Sequence, residues 1–219
     1  MIILQRINTV LFDLDGTLVN SNELIIDSFK ETLRKYTPSI TYTRDQLINL
    51  IGPPLSETFL NIMNNNDIIA EMIDYYRNFY QKNEFDYIYL YDNVLETLRE
   101  LKKMNLNLGI VTTKFAESAL PSIKHFGLDN YITNYAFLDS TPAHKPSPIP
   151  LFYVLKQFRN VEKTIMIGDN PSDILAGKNA NIYTCGLEWS LAPEKLKVLK
   201  PDYWLYDYLE LINIINMEE

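Results

Sequence analysis

Asp13 and Asp15 stand two residues apart in TVLFDLDGTL, directly after a β-branched and aromatic run. Two more apolar runs end on residues of comparable interest. LGIVT leads into Thr112, Thr113 and Lys114, and TIMIG delivers Asp169, with Asp173 four residues later. Lys145 and Pro146 precede a helical pattern. Carboxylates, a hydroxyl and ammonium groups at the ends of apolar runs suit phosphoryl transfer through a carboxylate. A carboxylate can attack phosphorus covalently and so divide one hard displacement into two easier ones. A second carboxylate can protonate the leaving group and then activate water. Clustered carboxylates repel one another and an anionic phosphate, so this chemistry requires a hard cation. Mg²⁺ takes oxygen ligands from one or two carboxylates, substrate and water, and Asp13 and Asp169 are the obvious side-chain ligands. A threonine hydroxyl and a lysine ammonium offset charge on the transferred group. Gly16 lets the chain leave the extended conformation beside the acidic pair.

Each residue also has an ordinary reading. An isolated Asp-x-Asp-Gly is commonly a loop. Asp169 before Asn-Pro fits a helix N-cap, and Asp173 fits an exposed helix position. Thr112 fits a β-branched strand residue, and Lys145 a solvated loop charge. Cys185 reads as a small buried residue, His125 as a charge at a helix C-terminus, and His144 as loop surface. The 15 tyrosines read as core and helix faces. The order of the groups, each at the end of a run, argues against dismissing them together.

The elements that must position these groups alternate. Strands are expected at residues 9–14, 108–112, 164–168, 182–185 and 203–206. Helices are expected at 92–104, 115–126, 148–158 and 170–180, the second followed by Gly127 as a C-cap signal. Strands alternating with helices predict an α/β fold with a parallel sheet covered on both faces. In such sheets ligands bind beyond the carboxyl ends of the strands. Residues 18–87 break the rhythm: they show no strand pattern but helical ones at 23–36, 43–50 with Thr43 as cap, 55–63 and 67–85. The expected organisation is a core of residues 1–17 and 88–219 interrupted by an all-helical insertion, 18–87.

The composition narrows the partners. With 28 acidic and 20 basic residues among 219, the net charge is -8, which argues against a nucleic-acid partner held on a basic surface. One cysteine and two distant histidines leave no thiolate or imidazole metal cluster. The N-terminus does not read as a signal peptide, and no run approaches the ~18 apolar residues that span a bilayer. The reading is a cytoplasmic chain without a membrane partner; its oligomeric state stays open.

Asp13-Leu14-Asp15-Gly16-Thr17-Leu18, Ile110-Val111-Thr112, Lys145-Pro146 and Gly168-Asp169-Asn170-Pro171-Ser172-Asp173 together resemble the four motifs of the haloacid-dehalogenase-like hydrolases. The resemblance implies a Rossmann-like doubly wound core with an inserted helical cap, Mg²⁺ dependence and hydrolysis of phosphate esters or anhydrides. It makes Asp13 the nucleophile and Asp15 the general acid/base, whose backbone carbonyl also meets the metal. It gives Thr112 and Lys145 to the phosphoryl group and Asp169 and Asp173 to the metal. Gly16, Thr113, Lys114 and, in the insertion, Gly52, Pro54 and Arg77 are the candidates for substrate contact. Within the superfamily the chain is similar to the phosphoglycolate-phosphatase-like branch, in particular to pyrophosphatases linked to turnover of serine-phosphorylated HPr. Pyrophosphate is therefore the first substrate expected, and phosphoglycolate or another small monoester the alternative. A phosphosugar mutase keeps the same two aspartates, and a phospho-receiver signalling domain uses a related toolkit without an acid/base at Asp15. The chain departs from the family pattern at Ser147, where relatives often carry an acid. It also departs at Asn93 and Asn181, where they often carry glycine; asparagine tolerates the left-handed backbone better than most residues.

Overall fold

A computed structural model describes residues 6–217; the first five residues of the segment that does not read as a signal peptide lie outside it. Within the described residues six parallel strands form one sheet. They are β1 (Ile7–Phe12), β4 (Asn107–Val111), β5 (Asn134–Ala136), β6 (Lys163–Ile167), β7 (Tyr183–Leu187) and β8 (Tyr203–Leu205). Their spatial order is β5-β4-β1-β6-β7-β8. β1 is buried along its whole length, as a strand covered on both faces must be.

Chain order and space explain where a site can form. After β1 the chain builds β4 and β5 outward on one side, then returns to lay β6 on the other side of β1. Phe12 thus aligns with both Ile110 and Ile167. The strand order reverses across β1, and the crevice at such a reversal lies at the strands' carboxyl ends. Those ends carry Asp13, Thr112 and Asp169.

The helices of this unit are α5 (Val94–Lys103), α6 (Ala116–His125), α7 (Ile149–Leu155), α8 (Pro171–Asn179), α9 (Pro193–Val198) and α10 (Glu210–Met217). α7 and α8 place Leu151, Val154 and Ala176 on Leu11, Val111, Ala136 and Met166, forming a fully buried apolar layer. Elsewhere in the same unit the Phe12 ring meets Tyr208 at 6.5 Å. The three-residue strand β5 and helices α9 and α10 lie outside the sequence expectations. β5 is too short to show an alternation, and its Asn134 and Tyr135 are only half-buried.

Residues Asn20–Tyr89 form a second compact unit. It holds α1 (Asn22–Tyr36), α2 (Arg44–Ile48), α3 (Leu55–Leu60) and α4 (Asn66–Tyr87). Apolar residues at helical spacing put Leu24, Ile25, Phe29 and Leu33 on the buried face of α1. Phe29 meets Tyr76 of α4 at 4.8 Å and Phe59 of α3 at 5.8 Å. Such aromatic pairs add ~0.5–1.5 kcal/mol beyond their buried area. Thr43 and Gln46 close a capping box on α2, satisfying two backbone donors that a helix start otherwise leaves bare. One expectation fails here. Val19–Asn20 is a two-residue strand, β2, paired with β3 (Tyr89–Leu90), so 18–87 is not wholly free of strand. Two residues are too few to show a periodicity. Among the described residues no helix is long and apolar enough to cross a membrane.

Candidate active site

β1 ends at Phe12, and the Asp13 N–H still donates to the Ile167 carbonyl at 2.9 Å, so Asp13 emerges fixed against β6. The chain then turns: Gly16 takes φ +74°, and its N–H donates to the Val19 carbonyl at 2.8 Å. A Cβ at Gly16 would come within 2.2 Å of Asp169 Oδ2. This position therefore needs glycine for space as well as for its backbone angle. Gly168 is comparable, since a Cβ there would stand 2.3 Å from the Asp173 side chain. The two glycines let both acidic segments close on each other.

What closes is a buried charge cluster. One carboxylate oxygen from each of Asp13, Asp169 and Asp173 lies within 4.8 Å of the others. The Lys145 ammonium stands 2.8 Å from Asp13 Oδ1 and 2.6 Å from Asp173 Oδ1, and donates to the Val111 carbonyl at 2.7 Å. It donates to Asp13 and to the Val111 carbonyl, and faces Asp173 as an ion-pair partner. Lys145 is 3% exposed and Asp173 fully buried, so neither is the solvated surface charge that its local sequence suggests. Asp169 does not cap α8; Asn170 does, with Asp173 returning to the Asn170 N–H at 3.0 Å.

The electrostatics show a shortage of positive charge. Burial pushes the Asp13 carboxyl up, Lys145 pulls it back, and Asp173 and Asp15 push it up again, to about 7. Burial first, then the charges of Asp13 and Asp173, hold Asp169 well above the usual carboxylate range, against the Thr17 hydrogen bond and Lys145. For Lys145 burial works downward, but Asp13 and Asp173 outweigh it and the net shift is upward. Three buried carboxylates face one buried ammonium, a donor set of hard oxygens that fits a divalent cation such as Mg²⁺.

The other expected residues are placed as follows. The Asp15 carboxylate is outside the three-carboxylate cluster, 2.9 Å from the Lys114 ammonium. Thr112 is buried, with its N–H on the Ala136 carbonyl and its hydroxyl accepting from the Lys114 N–H at 3.2 Å. Thr113 is half-buried in the same loop. Gly52 lies in the bend between α2 and α3, Pro54 directly precedes α3, and Arg77 is half-buried on α4; all three belong to the helical unit. Asn93 and Asn181 take φ of 62° and 56°, the left-handed backbone expected where relatives carry glycine.

Three contributors escape the sequence reading. Thr17 donates its hydroxyl to Asp169 Oδ1 at 3.0 Å, although it sits inside the first motif. Ser190 donates to the Asp169 carbonyl at 2.6 Å; it lies just beyond β7, where the same strand-end search could have found it. Tyr208, fully buried, donates to the Thr17 carbonyl at 2.9 Å from a segment with no motif at all.

The family described as haloacid dehalogenase-like hydrolase matches residues 10–187, which include Asp13, Asp15, Thr112, Lys145, Asp169 and Asp173. The chain belongs to the haloacid dehalogenase-like hydrolase family. Across 216 residues it is 40% identical to "Pyrophosphatase PpaX" of Listeria innocua, covering 98% of this chain and 99% of that one. It is 38% identical to the protein of the same name from Bacillus velezensis, over the same shares. A solved structure titled a predicted phosphoglycolate phosphatase, from Haemophilus somnus, superposes with a TM-score of 0.82 at 26% identity, covering 95% of this chain and 97% of that one. The protein is thus a hydrolase of the phosphatase type. The phospho-receiver alternative falls away, since this family turns its substrate over.

Proposed function

We propose that this family member is a Mg²⁺-dependent hydrolase of inorganic pyrophosphate that works through an aspartyl-phosphate on Asp13. The likeness over nearly the whole chain to proteins named pyrophosphatases carries the choice of substrate. The carboxylate–lysine cluster supports the chemistry. In the first step an Asp13 oxygen attacks phosphorus, the bond from phosphorus to the bridging oxygen breaks, and Asp15 gives that oxygen a proton. In the second step Asp15 takes a proton from water as the water oxygen attacks phosphorus, and the Asp13–phosphorus bond breaks. Lys145 holds Asp13 in place and offsets charge, with Thr112 beside the loop that receives the phosphoryl group. Asp13, Asp169, Asp173 and the Asp15 carbonyl would hold Mg²⁺, which supplies the positive charge that four carboxylates and a phosphate lack. Gly52, Pro54 and Arg77 make the helical unit Asn20–Tyr89 the part that selects the substrate.

The test is a phosphatase panel with Mg²⁺ present and after EDTA. Pyrophosphate should be turned over at least tenfold faster than phosphoglycolate or sugar phosphates, and EDTA should abolish every activity. Preference for phosphoglycolate would move the substrate to the monoester alternative. Migration of phosphate between sugar positions without release would replace hydrolase by mutase.

A further inference from the structure

Two lysines divide the two aspartates of the first motif. Lys145 engages Asp13, and Lys114 engages Asp15 from 99 residues away. The Lys114–Asp15 pair is unlike the pairs on the surface. Its side chains are 18% and 16% exposed, against 75% and 26% for Arg34–Glu31 or 53% and 58% for Arg44–Glu23. Exposed pairs of that kind hold geometry weakly, because water competes and two long side chains lose freedom. A pair withdrawn from water has less competition for the same hydrogen bond.

Both ends of the link are anchored in the backbone. The Lys114 N–H donates to the Thr112 hydroxyl, and its carbonyl accepts from the Leu138 N–H at 2.8 Å. The Asp15 end is held by the Gly16–Val19 hydrogen bond and the bridge between Asp15 and Val19. The loop after β4 is therefore fixed, and its ammonium reaches a carboxylate on a fixed turn after β1. Proton transfer by a carboxyl group depends on its standing within hydrogen-bond reach of the atom it serves. The ammonium stands 2.9 Å from the Asp15 Oδ1 and so bears directly on where that carboxylate points.

We propose that Lys114 is a positioning residue for Asp15, acting on the reaction through that carboxylate and not as a phosphate anchor. The proposal rests on the reading of Asp15 as the acid/base and deepens it. It concerns orientation: a misplacement on the order of 1 Å costs roughly 10²-fold in rate.

The experiment is a double-mutant cycle with Mg²⁺ present, using pyrophosphate and p-nitrophenyl phosphate. Lys114→Met should lower kcat about 10²-fold and leave KM within about twofold on both substrates, since binding is not its task. Lys114→Arg keeps a cation and should recover most of that loss. In an Asp15→Asn background Lys114→Met should cost less than about threefold, because groups acting as a unit are not additive. The same loss in both backgrounds, or a rise in KM with kcat unchanged, would overturn the proposal and make Lys114 a substrate contact. A crystal structure of Lys114→Met gives a readout free of turnover: an Asp15 carboxylate still in its original place would also overturn it. If p-nitrophenyl phosphate is hydrolysed and pyrophosphate is not, the choice of substrate fails while the cycle still decides the role of Lys114.

Discussion

At the carboxyl edge of the sheet, side chains 132 and 152 residues apart in sequence meet as Lys145–Asp13 and Thr17–Asp169. In the helical unit Asn20–Tyr89, the rings of Phe29, Phe59, Tyr76 and Tyr80 pack together, edge-on, tilted or stacked, with neighbouring centroids 4.8–6.4 Å apart. The first region accepts electrostatic cost, since burial and mutual repulsion raise Asp13 and Asp169. The second buries a single carboxylate among its described residues, Glu84 on α4, and is held mainly by apolar area. The difference is one of purpose. A site that must bind a cation and an anion has to be incomplete without them, whereas a packed helical unit can be complete by itself. Changes at the edge should therefore cost activity more than stability, and changes in the helical core the reverse.

The sharpest way to break this contrast is Asp13→Asn. A neutral amide cannot attack phosphorus, and kcat should fall by at least about 10³-fold, the scale seen when a covalent catalytic group is removed. The fold should survive, because the substitution removes a buried, self-repelling carboxylate while Lys145 keeps Asp173 and the Val111 carbonyl. Normal turnover by a folded Asp13→Asn protein would remove the nucleophile from Asp13. A protein that fails to fold would instead make the cluster structural.

Phe59→Ala is the complement. Phe59 is fully buried between Phe29 and Tyr76, and truncation of a buried phenylalanine costs about 3–5 kcal/mol. Hydrogen exchange should show lost protection in α1, α3 and α4 with β1, β4 and β6 unchanged. Equal loss in both sets would mean that the two units open as one, and the contrast would not hold at the level of folding.

The same contrast governs what was legible in the sequence. Strand-end residues announce themselves by type: a carboxylate or lysine at the end of an apolar run is out of place unless it has work there. Asp13, Asp15, Thr112, Lys145, Asp169 and Asp173 could be chosen that way, and the six parallel strands follow from the same runs except β5. Partnership could not be chosen. That Lys114 reaches Asp15, or that Ser190 and Tyr208 support Asp169 and Thr17, depends on which loops face each other across the sheet order. No spacing encodes that order. In the helical unit the apolar periodicity revealed α1 to α4, but periodicity describes the buried face. Residues that touch a substrate lie on the other faces, where a sequence looks the same with or without a ligand. Gly52, Pro54 and Arg77 therefore remain proposals, while the acidic cluster is a described geometry.

The charge imbalance at the edge gives a smaller, titratable effect. In the folded, metal-free protein Asp13 holds its proton to about 7, against an ordinary value of 3.8. Between those values the folded state binds more protons than the unfolded state, so stability falls as pH rises through the window. Thermal unfolding in EDTA should show the melting temperature decreasing by on the order of 10 °C from pH 4 toward pH 7, at about 1.4 kcal/mol per pKa unit and 2–4 °C per kcal/mol for a chain of this size. Saturating Mg²⁺ should flatten the decline near pH 7, because binding to the folded state favours the ionised carboxylates. A melting temperature that rises with pH in EDTA would show that Lys145 alone balances the cluster.

The smallest expected effect tests whether structure near the edge can be altered without touching chemistry. Asn181 follows α8, the helix that carries Asp173, and takes φ 56°. Its N–H donates to the Lys178 carbonyl at 3.0 Å, and the Ile182 N–H to the Gly177 carbonyl at 3.1 Å. That pair of bonds is a Schellman ending, which needs one left-handed residue where they cross. Asn105 ends α5 in the same way, with φ 58°, its N–H donating to the Lys102 carbonyl and the Leu106 N–H to the Leu101 carbonyl. Asparagine accepts this backbone more readily than alanine does, and alanine there costs roughly 1–2 kcal/mol. Asn181→Ala should lower the unfolding free energy measured in urea by about that much, Asn181→Gly should leave it within about 0.5 kcal/mol because glycine carries no Cβ, and kcat should be unchanged in both. If Asn181→Ala lowered kcat while its midpoint stayed at the wild-type value, the helix ending would be serving Asp173 directly, and the division between stability and activity would fail at its least demanding test.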